Sequence, residues 1–404
     1  MYHVDRSGVF EPEQSRTAVA SGVRCYFFTC LVHRGTMLNG MVATSLTTIL
    51  LVVSLPPALM LVITRVTGKR RIAYLPGKVV WITGASSGLG EQLAISAAAG
   101  GAEGLILSGR REDALERVKG ACEATVKDRE VRVRLLPFDV ADLEFAEKEA
   151  AARALGMFGR VDALVLNAGI STRGSVVETP LEVDRRVMAV NYFGPVGLAK
   201  GLLEATRDLP PPETRTTATS TGATAVLATL ATPPEATATD TSAPGSGSGP
   251  KTTAAGGPGA GSGSEGVRFV VINSVQGKFG MANRSSYAAS KHALVGFFDS
   301  LRAEQARRGV SVLNIFPGYV RTSLSVNALT ADGTKHAQMD ATTAQGRDPR
   351  EVADEIWRAV SEGQDEVVIA DLKTKVAVLL RALAPRVLFR IMAKRALKAK
   401  EGAQ

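Results

Sequence analysis

From Gly77 onward, short apolar runs alternate with longer helical stretches, and that rhythm leaves few folds open. KVVWIT (78–83), GLILS (104–108), VRVRLLP (131–137), DALVLN (162–167), VRFVVIN (267–273), VSVLNIF (310–316) and EVVIA (366–370) read as strands. Helical stretches fall between them, near 88–99, 112–127, 142–158, 182–207, 285–308 and 349–361. Alternation of this kind predicts an α/β fold, a doubly wound parallel seven-stranded sheet covered by helices on both faces. The expected domain is single and spans 76–371.

Three segments depart from the rhythm. Residues 1–40 form a weakly patterned N-terminal extension, read as disordered, and 41–64, MVATSLTTILLVVSLPPALMLVIT, carries no charge. At about 1.5 Å per residue such a helix spans a bilayer core of about 30 Å, so an N-terminal transmembrane helix is expected. Pro56 and Pro57 would kink it, and Arg65, Lys69, Arg70 and Arg71 behind it favour a cytosolic position for the rest. A cleaved signal peptide fits less well, because the stretch lies far from Met1 and lacks a small-residue cleavage site. Residues 209–266, rich in Thr, Ala, Gly, Ser and Pro, cannot bury enough apolar surface to order themselves and read as a disordered insertion. A long surface loop costs little, since closure entropy grows only logarithmically with length.

The net charge of +9 belongs largely to the last segment, 372–404, so nucleic acid is not an expected partner. Its VAVLLRALAPRVLFRIMAKRALKAK interleaves apolar and basic residues, as a helix lying on anionic lipid does. A packed helix in a homo-oligomer interface is the alternative, and Pro385 would split either helix. Cys25, Cys30 and Cys122 are too few for a disulfide framework, and His3, His33, His292 and His336 have no ligand spacing, so no metal is expected.

The chemistry is carried by two motifs. VVWITGASSGLGEQLA places Gly84, Gly88 and Gly90 after a strand and at the opening of a helix, where backbone can approach a pyrophosphate. Much later, SSYAASKHAL sets Tyr287 four positions ahead of Lys291, on one face of a helix. A phenol needs about 4 kcal/mol of bias to ionise near neutral pH, and a fixed ammonium neighbour works in that direction. Together, T-G-x-x-x-G-x-G and Tyr-x-x-x-Lys resemble the short-chain dehydrogenase/reductase family, over about Lys78 to Asp371 without the insertion.

The resemblance implies a Rossmann fold binding a nicotinamide dinucleotide. Gly84, Ser86, Ser87, Gly88, Leu89 and Gly90 would form the phosphate loop, and Asp139 with Val140, in FDV, would lie near the adenine. Asn167, Ala168 and Gly169 of NAG would shape the nicotinamide side, and Pro317, Gly318, Val320 and Thr322 of FPGYVRT would also bind the cofactor, with Thr322 meeting the carboxamide. Gly109 stands where NAD-preferring relatives carry an acid, followed by Arg110 and Arg111, so NADP(H) is expected over NAD(H). Tyr287 would be the acid/base, Lys291 its electrostatic partner, Ser274 the donor to the substrate oxygen, and Asn191 the holder of a water linking Lys291 to solvent. His292 should face elsewhere.

The implied activity is interconversion of a ketone and a secondary alcohol on a lipophilic substrate, of the acyl- or alkyl-dihydroxyacetone phosphate, sterol or retinoid class. Longer stretches, such as NAGISTRGSVVETPLEVDRRVMAVNYFGPV, are similar to a membrane-anchored branch of the family. The resemblance implies a place on the endoplasmic reticulum membrane with a cytosol-facing catalytic domain, or on the peroxisomal membrane. A cofactor-bound scaffold or lipid/redox sensor that recruits protein partners is the alternative. Residues 323–347 are expected to build the substrate lid, and Arg173, Lys278 and Arg284 to border the cleft as solvated surface cations, the alternative being contact with a substrate phosphate.

Overall fold

Five consecutive buried residues, Val79–Thr83, form β1 in the interior of the sheet. In this computed structural model, residues 73–126, 129–207 and 266–401 are described. The extension 1–40, the expected anchor 41–64 and all of the insertion except Gly266 lie outside them. Among the described residues no helix is long and apolar enough to cross a membrane.

On one side of β1 lie β2 (Gly104–Gly109) and β3 (Arg132–Pro137). On the other are β4 (Ala163–Leu166), β6 (Arg268–Ile272), β7 (Ser311–Pro317) and β9 (Glu366–Ile369). All six pairings are parallel, giving the seven-stranded α/β sheet that the strand and helix alternation predicts. A separate parallel pair joins β5 (Thr172–Arg173) to β8 (Leu329–Thr330), two strands too short to announce themselves by periodicity.

Alternate residues of each strand feed two cores. Val80, Ile82, Leu105, Leu107 and Val270 pack with Leu93 of α1 (Gly88–Gly100), Leu115 of α2 (Glu112–Thr125) and Trp357 of α9 (Pro349–Ser361). Val79, Trp81, Ile106, Leu164 and Val271 face the opposite layer. That layer holds α3 (Leu143–Lys148), α4 (Ala150–Phe158), α6 (Gly194–Ala205) and α7 (Ser285–Glu304). Both indoles are satisfied, Trp81 by Ser108 Oγ at 2.9 Å and Trp357 by the Leu93 carbonyl at 3.1 Å. Buried aromatics of this size each contribute about 3–5 kcal/mol against truncation. Cys122 is buried in the first core, where burial pushes its thiol up to about 12 and keeps it neutral.

Two long predicted helices are broken. The 142–158 stretch divides into α3 and α4, and 182–207 divides into α5 (Leu181–Met188), a π-turn (Ala189–Phe193) and α6. Pro195 supplies a reason for the second break, since it lacks the N–H that would meet the Asn191 carbonyl in a continuous α-helix. A short α8 (Ala341–Ala344) follows β8. The chain continues as α10 (Leu372–Leu383) and α11 (Pro385–Glu401), divided at Pro385. One side of this helical pair is seated: Leu388 is buried with Val275, Phe279 and Phe316.

Candidate active site

The chain order β1, β2, β3 runs outward in one direction before β4 returns to the other side of β1. That reversal opens a crevice beyond the carboxyl ends of β1 and β4, where open α/β sheets take their ligands. The expected cofactor and catalytic residues follow the carboxyl ends of strands β1, β2, β3, β4, β6 and β7, or lie on the π-turn and α7.

The loop after β1 is held by close approach. Gly84 has φ 65°, and a Cβ there would lie 2.8 Å from the Ala168 Cα; one on Gly90 would lie 2.3 Å from the Gly84 carbonyl oxygen. Asn167 Nδ2 donates to the carbonyls of Thr83 (3.0 Å) and Gly84 (3.1 Å), so the asparagine of NAG braces the glycine loop. Ser87 is extended at the N-cap of α1 and its side chain makes no cap bond, Leu89 is buried, and Gly88 faces the Thr322 side chain. Sequence reasoning missed Arg117, whose fork grips Glu91 at 2.6 and 2.9 Å while Nη2 donates to the Ser86 carbonyl at 3.3 Å. Its partners are 26 and 31 residues away, with no local pattern to betray them. A helix N-terminus opening from a loop that admits no Cβ at Gly84 or Gly90 fits a dinucleotide pyrophosphate.

Around the crevice, Arg110 lies 3.7 Å from Asp139 and both are well exposed. Arg111 occupies the N-cap of α2. Asp139 also accepts from the Ala141 amide at 3.0 Å, and Val140 is buried against Gly194. Gly169 sits close to Asn191, a Cβ there being 3.3 Å from Oδ1. Pro317 ends β7, the Gly318 amide is tied to the Ile369 carbonyl at 2.9 Å, and Gly318 and Val320 line the cavity described below.

Tyr287 and Lys291 share one face of α7 and both are buried, with the ammonium 5.8 Å from the phenol ring centre. Lys291 Nζ donates to the Ile272 carbonyl at 2.9 Å, and burial brings its pKa down to about 8. Burial raises the Tyr287 phenol above its ordinary value, while the Ser274 hydroxyl, Arg284 and Arg173 pull against that rise. This differs from the electrostatics expected of the motif. Desolvation outweighs the neighbouring cations, and the opposing charges come from two arginines rather than from the lysine. Asn191, fully buried on the π-turn, accepts from the Ile170 amide at 2.8 Å and donates to the Ile170 carbonyl (2.9 Å) and Ser290 Oγ (3.0 Å). Its amide oxygen accepts that one hydrogen bond among the described residues.

Ser274 and Tyr287 line a cavity of about 60 Å³, together with Ser171, Arg173, Met281, Arg284 and Tyr319. Leu324, Ser325 and Thr343 of the expected lid segment also line it. Arg173 and Arg284 are not solvated surface cations: their side chains are 12% and 13% exposed, and both bind Asp340. Their partners lie 167 and 56 residues away, so the carboxylate that shelters them was invisible in the local sequence. Lys278 pairs with Glu366 at 2.8 Å, and His292 is exposed, with Nδ1 on the Ala288 carbonyl at 2.8 Å.

A glycine loop at the sheet reversal and a Tyr-x-x-x-Lys helix behind it define a class, and the model of that class agrees. The short chain dehydrogenase model matches residues 78–208 and 261–333, and the chain belongs to this family of oxidoreductases. Dehydrogenase/reductase SDR family member 7B of Bos taurus is 40% identical over 331 residues, covering 81% of this chain and 84% of that protein. Dehydrogenase/reductase SDR family protein 7-like of Drosophila melanogaster is 37% identical over 351 residues, covering 87% and 90%. Among solved structures, a putative NAD(P)-dependent gluconate 5-dehydrogenase from Beutenbergia cavernae with bound NADP is 25% identical. It aligns with TM-score 0.50, covering 74% of this chain and 97% of that one.

Proposed function

We propose that this chain is a membrane-anchored, NADP(H)-dependent oxidoreductase that interconverts a ketone and a secondary alcohol on a lipophilic substrate. The observation that carries this reading is the convergence of the Ser274 and Tyr287 hydroxyls on one cavity, with Lys291 buried behind the phenol. When bound, a reduced nicotinamide supplies hydride to the carbonyl carbon. Ser274 Oγ–H donates to the carbonyl oxygen and steadies its developing charge. Tyr287 transfers its proton to that oxygen as the C=O π bond breaks. Lys291 then returns a proton to the phenolate and is itself replenished through a water at Asn191. The neutral phenol, which burial stabilises, is the form that donates the proton in the reductive direction.

The cofactor preference rests on Arg110 and Arg111 and the missing acid at Gly109, with support from the NADP bound in the Beutenbergia protein. Purified chain mixed with a panel of lipophilic ketones should consume NADPH faster than NADH. Arg110→Ala should raise the KM for NADPH about 10-fold, the loss of one charge-assisted contact, and leave that for NADH nearly unchanged. Equal effects on both cofactors would refute the 2′-phosphate assignment. Consumption of neither cofactor with any ketone, beside retained nucleotide binding, would favour the scaffold or sensor reading.

Membrane association rests on the expected anchor at 41–64 and on the C-terminal helices. Their outer side exposes Leu372, Leu379, Leu383, Phe389 and Leu397 among Lys373, Lys375, Arg381, Arg390 and Lys394. Apolar and basic groups on one surface suit anionic lipid of the endoplasmic reticulum or peroxisome. A chain beginning at residue 73 should float with vesicles containing phosphatidylserine. It should stay behind with pure phosphatidylcholine, and Leu379→Glu with Phe389→Glu should abolish flotation. A shift from dimer to monomer in the double variant, with no flotation by the parent, would point to an oligomer interface instead.

A further inference from the structure

The opening of α1 carries a conflict of charge. An acid in the first turn of a helix suits the helix, because it meets the positive end of the dipole, but it repels a second anion held at that same end. Glu91 is such an acid, and it is the one charged residue of α1. Its side chain is 17% exposed and follows Gly90 directly. The loop that fits a pyrophosphate therefore opens onto a carboxylate largely withdrawn from water, where repulsion is weakly screened.

Arg117, on α2, answers that carboxylate. Its Nη1 donates to Glu91 Oε1 at 2.6 Å and its Nη2 to Oε2 at 2.9 Å, two prongs that fix both groups. Nη2 also donates to the Ser86 carbonyl at 3.3 Å, so the guanidinium lies against the glycine loop. Glu91 has no other ion-pair partner among the described residues. At most surface positions an ion pair with one partner this open to water adds little to folding stability. Its place here gives it another effect: once neutralised, Glu91 no longer opposes an anion at the end of α1.

We propose that Arg117 is the counter-charge of the cofactor site, cancelling the Glu91 carboxylate so that the opening of α1 accepts a dinucleotide pyrophosphate. The proposal rests on the cofactor reading of the glycine loop and adds to it a positioning residue from outside the motif. Arg117 acts through Glu91 and touches no reacting atom, so its effect falls on binding. NADPH and NADH share the pyrophosphate, and both should feel it. Arg110, by contrast, is assigned to the 2′-phosphate that NADPH alone carries.

The test is a fluorescence titration of the full chain with NADPH and with NADH, at about 20 mM and about 500 mM KCl, beside thermal melting of each variant. At low salt Arg117→Met should weaken both dinucleotides about 10-fold, the effect of about one unit charge beside a doubly anionic group. Glu91→Gln should tighten both about 3-fold, and Glu91→Gln combined with Arg117→Met should bind within about 3-fold of the parent. Arg117→Lys, which keeps the charge and gives up the fork, should also stay within about 3-fold. At high salt the loss in Arg117→Met should shrink to about 3-fold, since the Debye length falls from about 20 Å to about 4 Å. A double variant or an Arg117→Lys as weak as Arg117→Met would overturn the proposal and leave Arg117 as a mechanical brace on Ser86. A loss confined to NADPH would overturn it by moving Arg117 to the 2′-phosphate, and unchanged affinity in every variant would reduce the pair to an ordinary surface contact. If Arg117→Met does not melt cooperatively, Glu91→Gln decides, and no tightening there overturns the proposal. None of these outcomes disturbs the cofactor reading, which falls, and this proposal with it, only if the parent chain binds neither dinucleotide.

Discussion

Tyr287→Phe should lower kcat for ketone reduction about 1,000-fold while leaving NADPH affinity within about 3-fold, because general acid catalysis contributes in that range and the ring itself is kept. The phenol is buried beside Ser274, whose hydroxyl helps pull its proton affinity down against burial. Removing one oxygen leaves Ser274 able to polarise a carbonyl but with no proton to give it. Folding stability should move by less than about 1 kcal/mol, since the lost hydroxyl is desolvated in the native protein and gains little there. Stopped-flow and steady-state rates with NADPH would check this beside a fluorescence titration of the cofactor. Turnover within 10-fold of the parent protein would remove Tyr287 from the chemistry.

Lys291→Met has the opposite signature in stability. A pKa of about 8 in place of the ordinary 10.5 means that burial of the ammonium costs on the order of 3 kcal/mol while the side chain is charged. The unfolded chain therefore holds that proton more tightly than the folded one. Below pH 8 both states are protonated and the full cost stands; between pH 8 and 10.5 the folded state releases its proton first, and stability rises with pH. Methionine removes the cost but leaves the Ile272 carbonyl without its donor, at about 1–2 kcal/mol. The variant should thus melt higher than the parent at pH 7, by about 1–2 kcal/mol, with the difference shrinking as pH approaches 10. Its turnover should fall at least 100-fold, with loss of the inflection near pH 8 that the lysine gives the rate profile. A lower melting temperature at pH 7, or a stability difference that does not vary with pH, would show that Lys291 is not a strained buried cation.

The seven strands were legible because burial on both sheet faces writes continuous apolar runs, and strand boundaries moved by only a residue or two. The glycine loop and the tyrosine-lysine pair were legible for a related reason: a close backbone approach and a four-residue helical spacing are local requirements that only certain residues meet. Membership of the family follows from these elements. The breaks in the long helices were harder to read, because one proline inside an otherwise helical run can act as a kink, a boundary or, as at Pro195, the trailing edge of a π-turn.

What the order of residues determined, then, was everything governed by neighbours along the chain: the sheet, its crevice and the face of α7 that carries Tyr287 and Lys291. Folding alone decided which charges meet. Arg173 and Arg284 became a partly buried pair around Asp340 because β5, the start of α7 and the segment before α8 return to one cavity. The same return set the proton affinities, since desolvation depends on what surrounds a group in space, and no residue type or spacing states that in advance.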